Sequence, residues 1–309
     1  MVKPGFYALA VLVLILAFAS TCLVASGFKP YSTHEPPPDV YRCIRLAWVV
    51  ERYGVNDSFG LRLLEQSVYY SGVNYSLATI YASKALSYYE SLAPKAPSIY
   101  HRRIALYTLT GLSAAAAAYL LYRLVPRLYL TAWYRLFRNR KLRLGGGSRS
   151  LLWDPEVRAV LAAVVVVAVV FAIAYPLSKR RVEPFTAIGL LGPEKKIGGY
   201  PRSIVSGSTI KLYIYLYNHE GRVMLYRIDF QVLNQTYSNT TKPPPLPVAG
   251  RLYVILPSNA TITIPFNATV PGVGRLRLTW WLYKYNATLG SYVYSGEWVH
   301  PWINSIPPS

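Results

Sequence analysis

The chain has 309 residues, 53% of them hydrophobic and only 15% charged, with a mean hydropathy of +0.24. This balance leans away from a wholly soluble protein. The net charge of +20 reflects few acids, 13 against 33 Lys and Arg, more than one dense basic face, so no nucleic-acid partner is expected. Two cysteines, Cys22 and Cys43, exclude a multi-bridge framework and offer no metal-ligand spacing.

The first apolar block runs from about Phe6 to Ala25 behind Lys3. It reads either as a signal peptide, with small residues at Val24-Ala25-Ser26 for cleavage, or as a retained anchor near the ~20 residues that span a bilayer. Both readings export the segment of chain after it. Glu35-Pro36-Pro37-Pro38-Asp39 is a stiff spacer. Residues 40–93 then read as a small helical hairpin or three-helix unit. Asp57 and Ser58 are expected to cap one helix, through Leu61, Leu64 and Val68, and Ser76 the next.

Two more apolar blocks of spanning length come next, Ile104 to about Val125 and about Ala159 to Leu177. The loop between them carries Arg127, Trp133, Arg135, Phe137, Arg138, Arg140 and Lys141, with acids only at Asp154 and Glu156. Such a loop is expected to stay in the cytoplasm and lie in the headgroup layer. The shorter clusters Arg102-Arg103 and Lys179-Arg180-Arg181 argue the other way and are outvoted. Of ten asparagines, seven begin Asn-x-Ser/Thr: Asn56, Asn74, Asn234, Asn239, Asn259, Asn267 and Asn286. About one is expected by chance, and all fall in the two segments assigned to the outside, which makes them glycosylation candidates.

From Ile204 onward the pattern has period two. Ile210, Leu212, Ile214 and Leu216 alternate with Lys211, Tyr213, Tyr215 and Tyr217, and Tyr226, Ile228, Phe230 and Val232 repeat the pattern. Further strands are expected over 251–256, 261–266, 275–285 and 291–299, which indicates an immunoglobulin-like β-sandwich. Pro243-Pro244-Pro245-Leu246-Pro247 reads as a stiff loop between strands.

The sequence holds no zinc-protease motif, nucleophile elbow or phosphate-cradling loop. His219 and Glu220 are adjacent, point to opposite faces of a strand and read as closing a hairpin with Gly221. His300, beside Trp298 and Trp302, reads as packing. Trp280 and Trp281 are neighbours on one strand, so one should face outward; with Tyr213, Tyr215 and Tyr217 they are candidates for an aromatic surface that meets a partner or glycan, the alternative being that the tyrosines shield the sheet or that a neighbouring domain covers them. No enzymatic activity and no cofactor is expected.

Residues from about 160 to 300 resemble an archaeal membrane-protein family known as domain-of-unknown-function family 1616. The likeness rests on a last span followed by Pro184-Phe185-Thr186, Leu191-Gly192-Pro193-Glu194, Tyr200-Pro201, Asn218-His219-Glu220 and the strand from Leu276 to Tyr285. Ala187 departs from the acidic residue expected after the Phe-Thr pair. The resemblance implies a membrane-anchored β-sandwich outside the cell and implies no activity.

The expected fold is membrane α plus β, with two or three transmembrane helices, a small extracellular helical unit and a C-terminal immunoglobulin-like sandwich. The organisation is a signal anchor or signal peptide (1–28), an extracytoplasmic helical domain (29–102), a transmembrane helix (103–125), a basic cytoplasmic loop (126–157), a transmembrane helix (158–178) and an extracytoplasmic sandwich (179–309). The expected partners are the lipid bilayer and another envelope or membrane protein, or a glycan. The function expected is non-catalytic binding or assembly at the cell envelope; the alternative is an accessory subunit of a membrane enzyme or transporter.

Overall fold

The computed structural model describes residues 29–113, 116, 183–237 and 239–308. Described residues up to Ala96 and from Phe185 form one compact unit, and Pro97–Pro184 belongs to a second. Among the described residues no helix is long and apolar enough to cross a membrane. The apolar blocks 6–25 and 159–177, most of block 104–125, and the basic loop with Arg127, Trp133, Arg135, Phe137, Arg138, Arg140 and Lys141 lie outside them. In the second unit residues 101–113 are helical and exposed throughout, with Tyr107 and Leu112 about 70% accessible.

Three helices open the first unit: α1 (Pro38–Arg52), α2 (Ser58–Ser71) and α3 (Tyr75–Leu92). Pro38 suits the first helical position of α1, where a missing N–H costs nothing. Val40, Cys43, Ile44, Ala47 and Val50 then form one buried stripe at helical spacing. Two caps differ from the expected ones. Asp57 stands at the start of α2 but makes no capping bond, because its carboxylate accepts the Tyr89 hydroxyl at 2.9 Å. Helix α3 begins one residue before Ser76 and is capped by Asn74, whose Oδ1 accepts the Leu77 N–H at 3.2 Å. The buried side of α3 is Ala78, Ala82, Ala85, Leu86 and Tyr89, small enough for α1 and α2 to approach closely; Leu77 and Ile80 are exposed.

Among the described residues ten strands build two sheets. They are β1 (Tyr31–Ser32), β2 (Phe185–Leu191), β3 (Ser203–Val205), β4 (Thr209–His219), β5 (Met224–Leu233), β6 (Gly250–Leu256), β7 (Ala260–Thr269), β8 (Gly274–Asn286), β9 (Ser291–Val299) and β10 (Trp302–Ile306). Sheet 1 has the order β1-β6-β5-β8-β10-β3, with β9 also paired to β8. Sheet 2 is β2-β4-β7. All pairs are antiparallel except β10 with β3. The alternating residues that face the sandwich interior include Leu212, Ile214, Leu216, Ile228, Val254, Ile264, Leu278 and Leu282. At its centre Trp280 stacks on Phe230 with ring centroids 4.8 Å apart.

The helices lie on one end of the outer face of sheet 1. Val223, Leu225, Ile255, Tyr285 and Ala287 join the stripe of α1 and the buried faces of α2 and α3 in a second core. Helix α1 also bonds the turns at that end. Trp48 Nε1 donates to the Val223 carbonyl at 2.7 Å, and the Val223 N–H donates to both Glu51 carboxylate oxygens at 2.8 and 3.0 Å. The Arg45 guanidinium donates to the Ala287 carbonyl at 3.0 and 3.2 Å. Cys43 is a free thiol buried in this core; Cys22 lies outside the described residues.

Burial pushes the Glu51 carboxyl up to about 7, against the opposing pull of the Val223 N–H. The folded chain therefore holds this proton more tightly than the unfolded chain, where a Glu titrates near about 4.3. The resulting stability is fully present below that value and is lost as pH rises through about 7. Glu51→Gln is expected to remove this part of the pH dependence. Urea midpoints of the full chain in detergent, measured from pH 4 to 8, should fall less steeply with pH in the variant, by on the order of 1–3 kcal/mol over the range.

Candidate functional site

The two outer faces of the sandwich differ. That of sheet 1 is covered at both ends. Beyond the helices, the loop after β5 folds back over it. Gln231 Nε2 donates to the Leu246 carbonyl at 2.7 Å, Arg277 Nη2 to the Thr240 carbonyl at 2.9 Å, and the Tyr294 hydroxyl to the Thr241 carbonyl at 3.0 Å. The proline run is thus held against the sheet as a cover. Beneath it, outward-pointing positions of β5 and β8 are buried, among them Asp229, Gln231, Arg277 and Thr279. Asp229 pairs with Arg227 at 3.1 Å and Arg251 at 3.3 Å; burial raises its carboxyl while the two arginines oppose the shift. The Arg227 guanidinium lies 4.3 Å over the Tyr283 ring.

Trp281 does point away from Trp280, yet both are fully buried. Trp281 packs against Trp298 at 5.6 Å and Tyr294 at 5.9 Å on sheet 1. The single aromatic surface expected from the sequence therefore does not form. The tryptophans belong to sheet 1, the three tyrosines to sheet 2, and the interior separates them.

The outer face of sheet 2 is open. Strand β4 presents Lys211, Tyr213, Tyr215, Tyr217 and His219, because its alternate residues fill the core. Register sets Tyr215 between Gly189 of β2 and Thr263 of β7, and Tyr217 between Ala187 and Thr261. A Cβ at Gly189 would sit 3.6 Å from Tyr215, so the tyrosine lies against a flat neighbour. Successive tyrosines stand about 7 Å apart along the strand. Tyr213 is buried, with Lys195 Nζ 5.3 Å and Lys211 Nζ 5.7 Å from its ring centroid, so the open part of the row is Tyr215 and Tyr217. At the other end the Tyr217 hydroxyl bonds His219 Nδ1 at 2.9 Å, and Phe185 packs on both rings. Half-buried rings, an exposed Phe185 and the threonine hydroxyls of β7 make a flat surface that can stack on a ring and hydrogen-bond its substituents.

His219 and Glu220 take opposite sides. Glu220 accepts Lys284 Nζ at 2.6 Å and the Thr186 hydroxyl at 2.8 Å. Burial alone would raise its carboxyl, but these bonds outweigh it and hold it below the usual range. Its charge is thus engaged in an ion pair. His300 lies against Trp298 at 4.8 Å, and burial with nearby Arg277 lowers its pKa. Among the described residues no group of His, Cys, Asp or Glu could hold a metal ion.

Motif residues of the C-terminal region have structural work. Asn218 is fully buried; its amide donates to the carbonyls of Arg222, Leu256 and Pro257, tying two turns together. The Tyr200 hydroxyl donates to the Leu190 carbonyl at 2.6 Å. A Cβ on Gly192 would run into the Gly198 carbonyl. Residues 179–304 match the family model of DUF1616, a domain of unknown function. The match starts after the last apolar block and omits the helices.

No curated protein matches the chain. Among solved structures, this chain is similar to a CARDB domain from Pyrococcus furiosus, in complex with di-metal ions, at 11% identity and a TM-score of 0.28 over 42% of this chain and 96% of that one. It is also similar to a β-glucosidase from Listeria innocua, at 10% identity and a TM-score of 0.27 over 41% of this chain and 16% of that one. A third is the ASH/PapD-like domain 7 of human CEP192, at 13% identity and a TM-score of 0.23 over 43% of this chain and 97% of that one.

Of the seven sequon asparagines, six are exposed and Asn286 is half-buried. Asn56 and Asn74 lie at helix starts, Asn234 and Asn239 after β5, Asn259 and Asn286 at turns, and Asn267 on the face of sheet 2 opposite Lys211. The sequence pattern does not reveal β2, because its outward residues Phe185 and Leu191 are apolar and hide the alternation of Thr186, Ile188 and Leu190.

The covered and open faces should respond differently to truncation. Trp281→Ala is expected to cost about 3–5 kcal/mol of stability, as a buried aromatic. Tyr215→Ala, on the open face, should cost less than about 1.5 kcal/mol. Chemical denaturation of the two variants checks both values.

Proposed function

We propose that this chain is a membrane-anchored, non-catalytic binding or assembly protein of the cell envelope, and that the tyrosine face of sheet 2 meets its partner outside the cell. The observation that carries the binding reading is the contrast between the sandwich faces. Sheet 1 is sealed by helices and the proline loop, while Tyr215 and Tyr217 stand in an open row beside Phe185 and the threonines of β7. A partner protein or a glycan suits such a surface, since aromatic rings offer large contact area at low entropic cost. Asn267 sits at the Lys211 end, six residues along β7 from Thr261 beside Tyr217, so a glycan there leaves the Tyr217 end clear.

Chain path supports the membrane reading. Segments on both sides of residues 97–184 build one unit, so whatever the intervening stretch crosses, it crosses and recrosses. Two apolar blocks of spanning length, with an arginine-rich loop between them, fit one such excursion. The exposed, largely apolar stretch of helix from Ile104 to 113 suits contact with lipid. All seven sequons lie in the unit assigned to the outside, on positions that a glycan can reach.

A second reading, an accessory subunit that contacts a membrane enzyme or transporter through its apolar helices, also draws on 101–113. One experiment separates the two. The full chain, captured in mild detergent from its native membrane, should bring down a partner or glycan that Tyr215→Ser/Tyr217→Ser reduces at least about tenfold. Undiminished capture by the double variant favours the helices instead. Topology is checked by glycopeptide mapping together with protease treatment of intact cells. Occupied sequons and cleavage within 185–308 are expected, and cleavage within 126–157 alone counts against the orientation.

A further inference from the structure

A cleft of about 640 Å³ opens where α1 meets the turns at its end of the sandwich. It is lined by Arg45, Trp48, Glu51 and Arg52 of α1, by Arg222 of the β4–β5 turn, and by Thr288 of the β8–β9 turn. Three guanidiniums thus converge from two separate parts of the chain. None of the three makes an ion pair among the described residues; Arg45 and Arg222 are positioned by other contacts, and Arg52 is exposed. Arg45 is steered by the Ala287 carbonyl, and Arg222 lies flat on the Trp48 ring at 3.8 Å. The carboxylate in the cleft, Glu51, has both oxygens turned to the Val223 N–H. Cation–π stacking orients Arg222 and the carbonyl bond orients Arg45, while the carboxyls of Glu51 and Glu220 near Arg222 offset part of the positive charge.

Three guanidiniums around a cleft of this size outnumber its one lining carboxylate and attract an anion with several oxygens, since their planar donor sets match phosphate geometry. A phosphate carried by a membrane lipid is one source, and a free phosphate compound the other. We propose that the cleft formed by Arg45, Arg52 and Arg222 binds a phosphate-bearing anion. The site is separate from the tyrosine face, and only its lipid source depends on the membrane-anchored reading.

The test titrates the full chain, in uncharged detergent, with inorganic pyrophosphate and, separately, with phosphatidylglycerol, and counts adducts by native mass spectrometry. At least one probe should bind with one saturable adduct, and its affinity should fall about tenfold or more in Arg45→Gln/Arg222→Gln. Because Arg45 also supports the fold, Arg52→Gln provides a second variant at an exposed position and should weaken binding several-fold with an unchanged circular-dichroism spectrum. Arg62→Gln, on α2 outside the cleft, should bind as the unmodified chain does. Pyrophosphate binding without a lipid adduct sensitive to the arginines assigns a free phosphate compound; the converse assigns a lipid headgroup. Both outcomes support the site. No saturable adduct with either probe, or binding that survives both cleft variants, overturns it.

Discussion

Everything in this unit depends on the lateral docking of α1 across one end of sheet 1. Apolar burial supplies the adhesion, through the stripe of Val40, Ile44, Ala47 and Val50 against Leu225, Ile255 and Tyr285. Direction comes from polar contacts. Trp48, Glu51 and Arg45 address backbone groups of two different turns, so the helix cannot slide along the sheet without leaving a buried amide or carbonyl unsatisfied. A net hydrogen bond stabilises by only about 1 kcal/mol, but an orphaned buried group costs more, and that asymmetry fixes register. One consequence is topological: chain before residue 97 and chain after residue 184 are bound into the same body.

The same docking decides which surfaces are free. A sheet of alternating residues would ordinarily have one wet face. In sheet 1 both faces are buried, one against sheet 2 and the other against helices and the proline loop. The outer face can therefore carry Asp229, Gln231, Arg277 and Thr279 inside: Asp229 pairs with arginines, the amide N–H of Gln231 and the Arg277 guanidinium donate to loop carbonyls, and Thr279 accepts from Arg277. Arginine–aromatic stacking fills the gaps between them. Sheet 2, with three strands, receives no such cover from the described residues and keeps Tyr215 and Tyr217 at the surface.

The sequence disclosed the sandwich well where period two was unmixed. Strands β4 to β9 were legible because Ile210-x-Leu212-x-Ile214-x-Leu216 and its counterparts set apolar residues at every second place. Strand β2 was not, since Phe185, Ala187 and Leu191 are apolar on the outward side as well. Strands β1 and β3 have two and three residues, too few to show a period. The pair Trp280-Trp281 correctly implied opposite faces, but adjacency says nothing about what covers a face. That cover comes from a loop and from helices more than 180 residues earlier in the chain. Asp57 shows the same limit locally. Its type and position fit a cap, and a tertiary bond from Tyr89 took the carboxylate instead.

Several polar and glycine residues in the stretch that matches the DUF1616 model are engaged in holding the sandwich together. Asn218 staples two turns, Tyr200 holds the end of β2, Gly192 allows a close backbone approach, and Glu220 with Thr186 and Lys284 anchors β2 to sheet 1. Each is needed for the shape of the sandwich, and none is left with a free charge or nucleophile directed at solvent. Groups with unspent capacity lie elsewhere: the tyrosine row on β4, and the three arginines at the foot of α1. The arginine cleft exists only because the helices dock beside the β4–β5 turn. Arg222 alone comes from inside the matched region, while Arg45 and Arg52 come from outside it. The sandwich alone therefore supplies one of the three charges, and the site takes shape only in the joined unit.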